Sequence, residues 1–401
     1  MNNDMNASEP PFDTVQRDRD SAASPCISSV SRRFTAEITE NDDAVFQKIT
    51  RTALSSEQTQ QILTPPFIRS GQKNVLAVHW HPEFIPMELI EKRIYAMFPD
   101  MESELIIPTQ HNELMTVQEH TGVEVDAYSR GFNQKVQLLL HFNKTRVENA
   151  HILKSMLKHT RAYRLIQLQD FIHTLVKPLE KRIQQAVRET GASGDIVAFV
   201  CAQAKKIREL MERYAGQVHE DMFKNKLLRN FIDELRPEYG DAWIIRAQTF
   251  LYAVKQIVKA HFPLRYFYRT SEVIEEARAL GGCIVIPHPE QFWPILLADY
   301  DVDGYEVWNP QSRRYTEFLI SVISRKNHQA VQRQRKLLLF MGDDTHMSEK
   351  IRDPDKQDRE KSSREIGFQP AWDDMYIRKA LIVASVNRRQ VIEEYRGRLD
   401  E

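Results

Sequence analysis

Short apolar runs punctuate the chain from residue 73 onward. Val75-Leu76-Ala77-Val78, Leu105-Ile106-Ile107, Val136-Gln137-Leu138-Leu139-Leu140, Cys283-Ile284-Val285-Ile286 and Leu337-Leu338-Leu339-Phe340 each give way to polar or histidine-containing positions. Runs of this length bounded by turn residues predict buried parallel strands. Helical patterns lie between some of them, over 87–97 and 271–280. A strand followed by a helix, repeated, predicts an α/β barrel or a doubly wound sheet.

The middle of the chain has a different period. Leu168, Phe171, Ile172, Leu175, Leu179 and Ile183 recur at three- and four-residue steps. Ser193 is placed to cap a helix carrying Val197, Val200, Ala204, Ile207, Leu210 and Met211. Met222 to Leu235 mark a third helix, stopped by Pro237, and Asp241 opens a fourth. The pattern therefore predicts an all-helical insertion over 145–269. It splits the α/β unit into a first part, 46–144, and a second part, 270–401. A short helix is expected over 44–63 and a closing amphipathic helix over 376–399. The charged stretch 347–374, with Pro354 and Pro370, reads as a loop positioned to cover a site. Residues 1–45 are rich in Asp, Asn, Ser and Pro, with nine acidic against four basic residues up to Asp43. This composition predicts a disordered tail.

Composition narrows the class. The chain has 401 residues and a formal net charge of -1, which disfavours a globally basic nucleic-acid binder. The charge is unevenly spread, because residues 145–269 hold 22 Lys or Arg against 13 Asp or Glu. That basic region reads as a solvated bundle face or, more sharply, as a surface for phosphate-bearing substrates. Cys26, Cys201 and Cys283 are widely spaced and form no CxxC pair, which argues against a disulfide framework or zinc ribbon. With no apolar h-region near the start and no apolar run of membrane-spanning length, a cytoplasmic location and no membrane partner are expected.

The candidate chemistry sits at the ends of the expected strands. His79 and His81 follow the first run, and two residues apart on an extended segment their imidazoles point the same way. His111 follows the second, Glu124 lies in Gly122-Val123-Glu124-Val125, and His141 ends the Val136–Leu140 run. His288 follows Cys283–Pro287, and Asp344 and His346 follow the last run in Gly342-Asp343-Asp344-Thr345-His346. Six of the 13 histidines thus fall at strand ends with acids beside them. Imidazole and carboxylate gathered this way predict a shared site for Mn, Zn or Fe ions.

The order of these motifs resembles the polymerase and histidinol phosphatase (PHP) superfamily. The residues carrying the resemblance are His79-Trp80-His81, Thr109-Gln110-His111-Asn112, Gly122-Val123-Glu124-Val125, His141, Pro287-His288-Pro289 and Gly342-Asp343-Asp344-Thr345-His346. Gly304-Tyr305-Glu306-Val307-Trp308-Asn309 also resembles a strand of that family. The resemblance implies a distorted seven-stranded β/α barrel with two or three divalent ions at its mouth and hydrolysis of phosphate esters. It implies His79, His81, Glu124 and Asp344 at one ion, Glu124, His141 and His288 at another, and His111 and His346 at a third. His111 or His346 would protonate the leaving alkoxide. Where the family carries acids near its first motif, this chain has Ala77, Pro86 and Met87; Glu83 and Glu88 are the nearby carboxylates. Arg130, Arg313, Arg314 and Lys350 are candidates for binding substrate phosphate. The expected partner is a small phosphate ester. The alternatives are a nuclease or nucleotide phosphodiesterase gripping its substrate with the basic insertion, and a non-catalytic metal-binding module.

Overall fold

The computed structural model describes residues 34–329 and 335–401. The expected tail lies outside the described residues as far as residue 33. Its last part does not fit the expectation, because helix α1 (Glu40–Thr50) begins inside it, fixed by a capping box on Thr39. The single helix expected over 44–63 is two, since Ser55 opens α2 (Ser56–Leu63) with a capping box of its own.

The chain then runs through β1 (Asn74–Ala77), β2 (Trp80–His81), α3 (Met87–Met97), β3 (Ser103–Ile106), β4 (Met115–Val117), β5 (His120–Ser129) and β6 (Gln134–Asn143). Six helices follow with no strand among them: α4 (His151–Val176), α5 (Glu180–Thr190), α6 (Gly194–Arg213), α7 (Lys226–Glu234), α8 (Arg236–Tyr239) and α9 (Asp241–His261). After α10 (Thr270–Ala279) come β7 (Cys283–Ile286), β8 (Gly304–Trp308), α11 (Thr316–Gln329), β9 (Leu338–Met341) and β10 (Thr345–His346). The chain closes with α12 (Arg359–Ser362), α13 (Met375–Val383) and α14 (Arg388–Asp400). The expected final helix is broken between the last two, where Ser385 has φ 55° and Asn387 caps α14.

The fold is mixed α/β, but the described strands do not close into a barrel. They form a six-stranded sheet, β4-β5-β6-β7-β8-β9, and two separate pairs, β1-β3 and β2-β10. Single contacts span the gaps, among them the His111–Glu124 bridge and the bond from Asp344 N to His79 O. Nor are all the strands parallel. β7, β8 and β9 run parallel, while β6 is antiparallel to both β5 and β7. The cause is local: only Arg130–Asn133 join β5 to β6, too short a link for anything but a hairpin.

Three apolar clusters hold these parts. One lies under the six-stranded sheet and includes Leu138, Ile284, Val307 and Phe340. A second belongs to the helical stretch, with Phe171, Phe199, Phe231 and Phe250 fully buried and Phe46 of α1 joined to it. The third packs β1, β2 and α3 around Trp80. Helix α14 lies against β1, β3, β6 and β9 and buries Tyr395 completely. Among the described residues no helix is long and apolar enough to cross a membrane.

Candidate metal centre

The ends of β1, β2, β3, β7 and β9, together with β5, bring seven of the eight expected residues together. His79, His81, His111, Glu124, His288, Asp344 and His346 form three overlapping groups: His81 with His111 and His346, His79 with His81 and Asp344, and His79 with Glu124 and His288. Within each group the ligand atoms lie within 4.8 Å of one another. The His81 ring centroid lies 4.3 Å from those of both His111 and His346, which are 5.8 Å from each other.

Each carboxylate divides its oxygens among the histidines. Asp344 Oδ1 lies 3.7 Å from His79 Nε2, 3.5 Å from His81 Nε2 and 3.6 Å from His346 Nε2. Glu124 turns Oε2 toward His81 and His111, and Oε1 toward His288. Most of these separations exceed a hydrogen bond. His79 Nε2, both nitrogens of His81 and His288 Nδ1 are buried without a hydrogen-bond partner, and His111 Nδ1 and Glu124 Oε2 have each other at 2.5 Å. Buried polar atoms without partners are costly and rare. Several converging on one small volume, all of ligand type, fit divalent cations that would satisfy them together.

The ring orientations are set from outside the cluster. His79 Nδ1 sits 2.6 Å from Glu306 Oε1, which turns Nε2 inward. The other Glu306 oxygen accepts from the His288 backbone N–H at 3.0 Å. Glu306 therefore positions two candidate ligands, a role its strand motif alone did not assign. Its room is made by Gly342, where an added Cβ would lie 2.0 Å from Glu306 Oε1. At Gly122 an added Cβ would lie 2.3 Å from the Pro108 carbonyl oxygen. No side chain fits at either position. Glu83, Asn112, His288 and Asp344 all hold positive φ, between 28° and 54°. Backbone strain of this kind concentrates at sites where geometry matters.

Charge follows the same arrangement. Burial works against a proton on His79, but Glu306 and Asp344 overcome it and raise its pKa to about 10. Burial and the neighbouring His346 and His111 take His81 down to about 3. Burial opposes charge on Glu124 and Asp344 as well, yet the surrounding histidines hold both well below the usual carboxylate range. His346, at the solvent edge, is pulled down by burial and up by Asp344 and Glu83, settling at about 9. Glu83, whose Oε1 is 3.6 Å from His346 Nδ1, takes the edge where the family acids are missing. Glu88 stays outside the cluster.

His141 does not join the cluster. Its Nδ1 lies 2.7 Å from the Tyr395 hydroxyl and its Nε2 3.0 Å from the Val78 carbonyl, so neither nitrogen is free for an ion. The reason is strand direction. β6 runs opposite to β7, so its carboxyl end lies at the start of β7, where His141 pairs with Cys283. Of the expected phosphate-binding cations, Lys350 is committed to Glu365 at 2.6 Å and the Arg314 guanidinium lies over the Tyr315 ring. The cations at the cluster are instead Arg364, 2.9 Å from Asp344 Oδ2, and Lys224, 3.8 Å from Glu83. Arg364 comes from the charged stretch expected to cover a site. Lys224 comes from the helical stretch.

No known family profile matches the chain, and no curated protein matches it. Among solved structures, the chain is similar to a Bifidobacterium adolescentis protein provisionally named a metal-dependent phosphoesterase. The identity is 16%, the TM-score 0.37, and the match covers 80% of this chain and 99% of that one. A likeness at that distance does not assign a family, so the PHP resemblance stays one of motifs.

Proposed function

We propose that the protein is a metal-dependent hydrolase of phosphate esters. The observation that carries the reading is the convergence of His79, His81, His111, Glu124, His288, Asp344 and His346 in three groups whose ligand atoms lie within 4.8 Å of one another, with His79 Nε2 and both His81 nitrogens buried without a hydrogen-bond partner. His79, His81 and Asp344 would hold one ion and Glu124 with His288 a second, the single inward nitrogen of His79 serving only one of them, while His111 and His346 stand at the edge of the cluster. Mn, Zn or Fe suits this donor set. Bound there, the ions would supply Lewis-acid polarisation of a phosphoryl oxygen and a water made acidic near neutral pH.

The remaining steps belong to the chain itself. Glu306 keeps Nε2 of His79 facing the ions. Arg364 occupies one oxygen of Asp344 and leaves the other to three histidines. Lys224, at the rim, offers a cation to a phosphate oxygen. His346 and His111 are the most accessible rings of the group, at 25% and 21% side-chain exposure. Their position at the solvent edge suits delivery of a proton to a departing alkoxide. In this reading residues 145–269 form an insertion in a two-part α/β unit, and the insertion contributes to the substrate side of the site.

Metal content and hydrolysis of p-nitrophenyl phosphate and bis(p-nitrophenyl) phosphate test the proposal on Mn-loaded protein, beside the His79→Ala/His81→Ala variant. Two or more ions per chain with turnover, both lost in the variant, are expected. Protein that binds no metal under any loading overturns it. The diester arm matters because the insertion carries a basic cavity.

A further inference from the structure

Between α4, α7 and α9 lies a cavity of about 310 Å³ lined by Arg164, Lys224, Lys226, Arg229, Lys255 and Lys259, with no carboxylate in its lining. Elsewhere in the helical stretch some cations are paired, Arg161 with Glu113 and Asp221, Arg182 with Asp170, Lys206 with Asp42, Arg236 with Asp233, and others, such as Lys181 and Lys205, stand apart on the open surface. What sets the cavity apart is that six cations share one concave space. Lys224 and Lys226 meet Glu83 and Glu349 only at 3.8 Å, and no ion pair among the described residues engages Arg164, Arg229, Lys255 or Lys259.

Gathering like charges in a concave space is unfavourable without an anion to fill it. The lysines register the cost: burial and the neighbouring Lys224 take Lys226 down to about 8, and burial with nearby cations lowers Lys255 and Lys259. One of the lining residues also reaches the edge of the candidate metal centre. Lys224 approaches Glu83, itself 3.6 Å from His346. Lys224 thus joins the cavity lining to the edge of the cluster.

We propose that this cavity is a second phosphate subsite, so that the substrate carries at least two phosphates, one at the metal cluster and another among Arg229, Lys255 and Lys259. The inference rests on the phosphoester reading for what lies at the cluster end. The second phosphate belongs either to a small polyphosphorylated molecule or to the next link of a nucleic-acid strand. A phosphate group, doubly charged as a monoester or singly charged as a strand's diester link, is the chemistry that Arg229, Lys255 and Lys259 without carboxylate partners recognise.

The test is calorimetric titration of inorganic triphosphate into the Mn-loaded full chain, comparing wild type, Lys255→Ala/Lys259→Ala and Lys255→Arg/Lys259→Arg. The alanine variant is expected to bind at least tenfold more weakly, and the arginine variant to retain wild-type affinity. Equal affinity in wild type and the alanine variant overturns the subsite. So does equal loss in both variants, which would report altered packing rather than charge. A 5′-phosphorylated trinucleotide that binds more tightly than triphosphate, with the same dependence on the two lysines, identifies a strand; weaker binding with that dependence identifies a small molecule. The two proposals fail separately. Lysine-dependent binding without any ester hydrolysis removes the phosphoester reading and keeps the anion subsite. Hydrolysis with lysine-independent binding does the reverse.

Discussion

Two layers of buried histidine lie almost in contact in this protein, and they do opposite things. In the upper layer His79 has one ring nitrogen on Glu306 and the other unpartnered, turned toward Asp344. In the layer beneath, His141 is equally buried, yet both its nitrogens are satisfied, one of them by the carbonyl of Val78, the residue next to His79. Burial is nearly the same for the two. What separates a ligand from a structural histidine is where its hydrogen-bonding capacity goes. A ring with one nitrogen fixed from outside and one left bare is prepared for a cation. A ring with both occupied is part of the core. The comparison extends to the helical stretch, where Lys206 is buried on a carboxylate partner and the cations that line the cavity have none in its lining.

The sharpest way to break the comparison is at Glu124, whose two oxygens face three histidines of the upper layer. Glu124→Gln keeps the volume and removes the charge. Since loss of an outer partner costs about 10–100-fold in metal affinity, loss of a direct ligand should exceed about 100-fold. Inductively coupled plasma measurement of retained metal after dialysis would show it, and unchanged stoichiometry would dismantle the cluster. The next effect belongs to Glu306. Glu306→Gln leaves a partner for His79 but weakens the force that turns its ring, and about 10–100-fold weaker metal binding follows with the fold intact. A variant with full affinity would show Glu306 to be packing alone.

The alternation of apolar runs with histidine-bearing ends was enough to locate β1, β3, β6, β7 and β9, because buried strands advertise themselves by length and composition. Helix α3 falls on its expected bounds of 87–97 for the same kind of reason: Pro86 precedes it and its apolar positions recur on one face. Strand direction was not legible. A parallel and an antiparallel apolar run look alike along the chain, and only the short link 130–133 carried the information that β6 turns back. The misplacement of His141 follows from that one missed reversal. Closure of the strands into a barrel was likewise a property of the resemblance, and the described strands stop short of it. Glu306 was visible in its motif, but its role was not, since positioning another side chain leaves no periodic trace. Arg364 and Lys224 reach the site from segments distant in sequence, and no local pattern links them to it.

The smallest expected effect is the most discriminating, because it tests the lower layer without touching the upper. A carbonyl only accepts, so His141 Nε2 carries the proton it donates to Val78. Burial lowers the pKa of His141 to about 3, so the ring is neutral and Nδ1 is an acceptor for the Tyr395 hydroxyl. Tyr395→Phe removes that donor and leaves a buried acceptor unpaired, which costs about 1–3 kcal/mol of stability in a denaturant melt. The ring of Tyr395 stays packed on Phe340, so the core keeps its volume. Metal stoichiometry should not change, because no ligand nitrogen depends on Tyr395. If His141 were a ligand instead, losing the hydroxyl would release Nδ1, and metal binding would rise or shift while stability barely moved. A melt and a metal count on one conservative variant therefore decide which of the two layers His141 belongs to.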